Sequence, residues 1–168
     1  VQRDFESWNR DHTLASATRD SVVWYYQQLA ERIGAERMQL YLDRIGYGNR
    51  DISGGLTRFW LQSSLQISAR EQVDLLARLY AGKLPFAEET RTIVLRNITL
   101  SSDNGVRLLG KTGSGFQDGK WIFGWFVGYV ERAGKVYVFA TNVEGTDGAN
   151  GGRARTITRA ILQDLGLL

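Results

Sequence analysis

Residues 106–144 read VRLLGKTGSGFQDGKWIFGWFVGYVERAGKVYVFATNVE, and the fold class turns on them. Val, Phe, Tyr and Trp crowd the segments 121–132 and 135–144, and 106–113 opens on Val106, Leu108 and Leu109, a composition that suits a pleated, half-buried surface. Gln117-Asp118-Gly119 and Arg132-Ala133-Gly134 separate them, and short Gly-containing breaks between such segments read as hairpins. Three consecutive strands in an antiparallel meander are therefore expected.

Upstream the period changes to that of helices. Asp20 or Ser21 is placed to cap a helix whose apolar positions Val22, Tyr26, Leu29 and Ile33 recur at helical spacing, with Gly34 as its stop. Residues 36–45 continue as a second helix until Gly46-Tyr47-Gly48-Asn49 breaks it. Ser68 and Glu71 stand three apart as a capping box, ahead of Val73, Leu76, Leu79 and Tyr80. Leu84-Pro85-Phe86 makes a turn, and 87–98 reads as a helix with Ile93, Val94 and Ile98 inward. After the meander, a glycine-rich loop leads into a helix over about 153–165, with Ile157, Ala160, Ile161 and Leu165 along one side. No repeat or linker interrupts the pattern. The expectation is one α+β domain over residues 1–168, an antiparallel sheet flanked by helices.

Composition narrows the function. The 21 Lys plus Arg face 18 Asp plus Glu, a formal charge of +3, with bases interleaved among acids, as in Arg3-Asp4, Asp43-Arg44 and Glu89-Arg91. No stripe suited to a phosphate backbone results, which argues against nucleic acid as partner. The apolar runs fall far short of the roughly 18 residues of a membrane span. Without Cys there is no disulfide or thiolate metal site, and the single His12 cannot build a histidine-rich zinc site. His12 is expected to serve a local hydrogen bond, and a hydrolase built on this chain is expected to use a base other than histidine.

Lys111-Thr112-Gly113, followed by Ser114-Gly115, puts a cation and a hydroxyl on a strand whose glycines let a ligand approach the backbone. Such a site suits an anionic, peptide-like substrate. K-T-G is also one part of a motif set used by penicillin-recognising serine enzymes. Other parts stand in order before it: Ser21-Val22-Val23 opening the first helix, Tyr47-Gly48-Asn49 on the sharp loop, and Trp60 after a polar stretch. With Trp8-Asn9-Arg10-Asp11-His12-Thr13-Leu14, Phe59-Trp60-Leu61 and Gly124-Trp125-Phe126-Val127-Gly128 around them, the chain resembles the class D, oxacillinase-type β-lactamases over nearly its whole length. One motif of that family, the S-x-x-K of nucleophile and base, is absent. The residues three before Lys83, Lys111, Lys120 and Lys135 are Tyr80, Leu108, Gln117 and Arg132.

The resemblance implies a β-lactamase/transpeptidase-like fold, incomplete at its N-terminus, and hydrolysis of β-lactam antibiotics through a serine acyl-enzyme. The alternative is a β-lactam-sensing domain of a membrane receptor or a non-catalytic penicillin-binding relative. In the hydrolytic reading Ser21 helps pass a proton to the leaving nitrogen and Trp60 holds a carboxylated lysine. Lys111 supplies positive charge beside Thr112 and Gly113, and the backbone N–H of Ser114 is an oxyanion donor. Arg153 and Arg155 both stand where the substrate carboxylate would be bound, Arg153 being preferred. Val23, Tyr47, Gly48 and Asn49 take structural parts. The resemblance implies no metal and no cofactor besides CO₂ as lysine carboxylation on the motif lysine upstream. It implies a small β-lactam as partner, a periplasmic or secreted bacterial location, a role in antibiotic resistance, and no membrane for the enzyme; a homodimer stays open. These 168 residues by themselves are expected to be inactive.

Overall fold

The computed structural model describes residues 5–168; Val1 and the Arg3-Asp4 pair lie outside the described residues. Its centre is a four-stranded antiparallel sheet in the order β1-β2-β3-β4, formed by β1 (Thr99–Asp103), β2 (Val106–Gln117), β3 (Lys120–Arg132) and β4 (Lys135–Glu144). Each hairpin turn places two successive residues at positive φ: Asn104 and Gly105 at 49° and 74°, Asp118 and Gly119 at 48° and 77°, Ala133 and Gly134 at 50° and 74°. That pair of left-handed residues gives a turn whose twist matches the flanking strands.

The meander thus has a fourth strand that the sequence reading lacked. Thr99–Asp103 is polar and largely exposed, with no alternation to reveal it. Only Asn104-Gly105, a hairpin dipeptide, announces it. β2 also runs on to Gln117, past the expected end at 113, because pairing of Ser114 with Gly124 and Gly115 with Phe123 holds its glycine-rich half extended.

Both faces of the sheet are covered. Leu109 and Tyr129 pack with Leu76 of α4 (Ala69–Tyr80) and Leu95 of α5 (Glu88–Asn97). Their strand neighbours Leu108 and Val130 point the other way, onto Leu162 of α6 (Gly151–Asp164). Coverage on both sides is why these strands read as apolar runs instead of alternating with polar residues. Leu108, Leu109, Phe126, Tyr129 and Val130 are fully buried, each side chain contributing about 1.5–3 kcal/mol. Beside the sheet lie α1 (Leu14–Arg19), α2 (Val23–Ile33) and α3 (Ala35–Ile45).

The helices correct several expectations. α1 was not foreseen, although Thr13 and Ser16 form its capping box. Neither Asp20 nor Ser21 caps α2: Val22 holds that position without a side-chain bond, because Asp20 is paired with two arginines and the Ser21 hydroxyl is turned to Lys111. The box of Ser68 and Glu71 forms as read. In α5 the inward residue is Leu95, while Val94 is exposed. α6 starts two residues early, at Gly151, since Asn150 provides its cap. Its inward line is Ala154, Thr158 and Leu162, leaving Ile157, Ile161 and Leu165 exposed on the flank.

Candidate active site

β1 ends its pairing with β2 at Leu109, and the next N–H on that side, Gly110, donates to the Ile98 carbonyl at 2.8 Å. N–H groups facing one side of a strand recur at every second residue, so those of Thr112 and Ser114 face the same way, where no strand among the described residues pairs with them. The following one, on Phe116, donates to Gln62 Oε1 at 2.8 Å. Between these two closed positions β2 presents an open backbone edge carrying Lys111, Thr112, Gly113 and Ser114.

Side chains alternate across the same strand. Thr112 and Ser114 face α6: the Gly151 N–H donates to Ser114 Oγ at 2.9 Å. A Cβ on Gly151 would stand 2.7 Å from the Gly113 oxygen and 2.8 Å from Thr112 Cβ, so only glycine lets the N-terminus of α6 come this close. Gly124, in β3, serves the same approach, since a Cβ there would lie 2.0 Å from the Asn150 backbone. The positive end of a fourteen-residue helix thus meets Thr112-Gly113.

Lys111 faces the opposite layer. Its Nζ donates to Ser21 Oγ at 2.5 Å and to the Thr112 carbonyl at 2.7 Å. Burial penalises the ammonium and pulls its pKa below the ordinary lysine value. Ser21 is held at φ 52°, in the left-handed region, at a cost of about 1–2 kcal/mol for a residue with a Cβ. The surroundings fix it there. The Ser21 and Val22 N–H groups donate to the Thr18 and Ala17 carbonyls, and the Trp8 indole donates to the Asp20 carbonyl at 3.0 Å. The Asp20 carboxylate is bound by Arg19 at 2.9 Å and Arg10 at 2.7 Å, and these bonds, Arg19's first, hold its pKa down to about 2.

Trp60 lies on the loop of residues 51–66, edge-on to Phe59 with ring centroids 4.9 Å apart. Its indole N–H makes no hydrogen bond among the described residues, and none joins it to Ser21 or Lys111. Tyr47-Gly48-Asn49 anchors this loop. The Asn49 amide donates to the Ser64 carbonyl at 2.8 Å while its oxygen accepts the Gln66 N–H at 3.0 Å. A Cβ on Gly48 would lie 1.9 Å from the Gln66 oxygen, and the half-buried Tyr47 hydroxyl reaches Gln72. Val23 is the first residue of α2. His12 bridges Ser16 and the Ser7 carbonyl, a local role.

The two arginines differ. Arg155 is exposed and stands one turn after Gly151 on α6, whereas Arg153 has its backbone N–H taken by the Asn150 cap and its guanidinium near Gly148. Sequence reasoning missed Gln62, which carries no signal, and Gly124 and Gly151. A glycine inside an aromatic strand segment does signal close backbone approach.

A family model described as penicillin binding protein transpeptidase domain matches residues 1–163. The chain is 48% identical, over 168 residues, to the probable β-lactamase YbxI of Bacillus subtilis, covering all of this chain and 61% of that one. The chain thus spans about three fifths of that relative's length. The solved structure of a class D β-lactamase from Bacillus subtilis superimposes with a TM-score of 0.94 at 48% identity, over 100% of this chain and 68% of that one. The C-terminal domain of the Bacillus licheniformis BlaR penicillin receptor gives 0.95 at 38% identity, with the same coverage.

Proposed function

Because the chain belongs to the class D β-lactamases, within the penicillin-binding transpeptidase family, we propose that it is the substrate-binding part of a serine enzyme that hydrolyses β-lactam antibiotics. The observation that carries this is the Lys111–Ser21 contact beside the open edge of Thr112 to Ser114. Nucleophile and base are not among these residues; we assign them to an S-x-x-K segment in the part of the domain that longer relatives possess.

The chain's own groups then have separable tasks. The open N–H of Ser114 donates to the oxygen that gains charge when the lactam carbonyl is attacked; removing one such donor typically slows reaction by about 10²–10³. The Thr112 hydroxyl, the α6 N-terminus and Arg155 bind the substrate carboxylate, and Lys111 supplies positive charge from the other side of the strand. A guanidinium offers it two parallel donors, and the contact of Gly151 with Gly113 favours Arg155 over Arg153. Ser21 Oγ accepts from Lys111 and can pass a proton toward the leaving nitrogen. The Trp60 indole N–H is a suitable donor to a carboxylated lysine, the form CO₂ would give the upstream motif lysine. We place the protein outside the cytoplasmic membrane, where β-lactams act.

Likeness to the BlaR receptor domain supports a second reading, a sensor that stays acylated. Turnover of a chromogenic cephalosporin by the complete protein separates the two. Sustained hydrolysis is the expected result; one equivalent of product with no further turnover would give the site to a sensor, and no acylation would overturn both.

A further inference from the structure

Gln62 lies two residues past Trp60 with its backbone in the left-handed region at φ 50°. Its side-chain oxygen accepts the Phe116 N–H at 2.8 Å across 54 residues of sequence, tying the Trp60 loop to the outer end of β2. We propose that Gln62 is a specificity-determining strap that closes the open edge of β2 at Phe116 and so sets how far a substrate's acyl group extends along it. This rests on the β-lactam reading of the same site.

Three features lead to this role. The edge N–H groups fall at 110, 112, 114 and 116; the Ile98 carbonyl takes the first and Gln62 the last, leaving two open between them. The strand lies close on β3 here: a Cβ on Gly115 would sit 2.2 Å from the Phe123 ring, and a register shift between Gly115 and Phe116 marks where Gln62 meets it. Phe116 is 52% exposed, with its ring 4.8 Å from that of Trp121, and walls the end of the edge. Gln62 itself is exposed, so no core packing depends on its side chain. A compact acyl group fits the two open positions. One that continues along the strand competes with Gln62 for the Phe116 N–H.

The test uses the complete protein and two β-lactams sharing one nucleus, one with a short acyl group and one whose acyl group carries a further amide carbonyl. In Gln62→Ala the ratio of kcat/KM, extended over short, is expected to rise on the order of 3- to 10-fold, the worth of one hydrogen bond changing partners. Exchange of the Phe116 amide proton is expected to quicken by on the order of tenfold. Gln62→Glu retains an acceptor oxygen and is expected to keep the wild-type ratio. An unchanged ratio or unchanged Phe116 exchange in Gln62→Ala would overturn the strap, as would Gln62→Glu behaving like Gln62→Ala. If neither compound acylates the wild-type protein, the β-lactam reading fails. Phe116 exchange then still decides whether Gln62 holds the edge: quickened in Gln62→Ala it does, unchanged it does not.

Discussion

Ser21 combines two properties that substitutions can separate, a strained backbone and a hydroxyl bound to Lys111. Ser21→Ala keeps the strain and removes the bond, whereas Ser21→Gly removes both. Both variants are expected to lose most β-lactam turnover in the complete protein. Ser21→Gly should nonetheless be the more stable by about 1 kcal/mol in denaturant unfolding; equal stability would show that the left-handed backbone costs nothing. Lys111 gives a pH signature. With its pKa lowered by burial, the folded protein releases this proton at a pH where the unfolded chain still holds it. Raising pH through that window removes the positive charge that Lys111 supplies to the substrate carboxylate, so KM should climb below the ordinary lysine range. Over the same window the linked contribution to stability increases, because the unfolded chain binds the extra proton. Lys111→Arg, charged throughout, should abolish the KM rise; a rise that persists would assign it to another group. For the carboxylate, Arg155→Ala should raise KM on the order of 10-fold and Arg153→Ala should leave it nearly unchanged, with the reverse order giving the role to Arg153.

Among elements, the contact between β2, β3 and the N-terminus of α6 carries the most consequence, because glycines allow it. Gly124→Ala would put a methyl into the Asn150 backbone, and is expected to destabilise by about 1–3 kcal/mol through overpacking. It should also raise KM as α6 moves off Thr112-Gly113. Thermal unfolding together with KM checks this, and a stability loss without any change in KM would detach α6 from the binding edge. The same elements show how far the sequence could be read. β2 to β4 were legible because Gly-containing turns separate them and the stretches buried on both faces, Leu108-Leu109 and Tyr129-Val130, are continuously apolar. The box at Ser68 was legible because capping chemistry is local. β1 was missed since polar Thr99–Asp103 owes its extension to pairing with β2. The cap of α2 was misassigned because Asp20 and Ser21 are engaged by partners remote in sequence or off the helix, Arg10 and Lys111. At the site, Lys111 and Ser21 were legible as motif members. Gln62 was not, since a glutamine's bond to a strand 54 residues away leaves no local trace.

At the scale of the molecule, the sheet is covered on both faces, but the flank of α6 is not. Ile157, Ile161 and Leu165 are 37%, 50% and 65% exposed, and Tyr137 on neighbouring β4 is 37% exposed. The outer edge of β4 pairs with no strand among the described residues. An apolar stripe next to an unpaired strand edge is a surface that associates. The 168-residue chain prepared alone is therefore expected to bind a hydrophobic dye such as ANS, to grow in apparent mass with concentration, and to turn over no chromogenic cephalosporin. Replacing Ile161 and Leu165 by Ser should reduce dye binding and association of this chain. In the complete protein, where we expect additional chain to cover the flank, the same pair should cost on the order of 2–4 kcal/mol from lost apolar burial. The opposite signs make the test decisive. If the double substitution leaves the complete protein's unfolding unchanged, the flank is solvent-facing there too, and the stripe's apolar character belongs to some contact other than the fold's own completion.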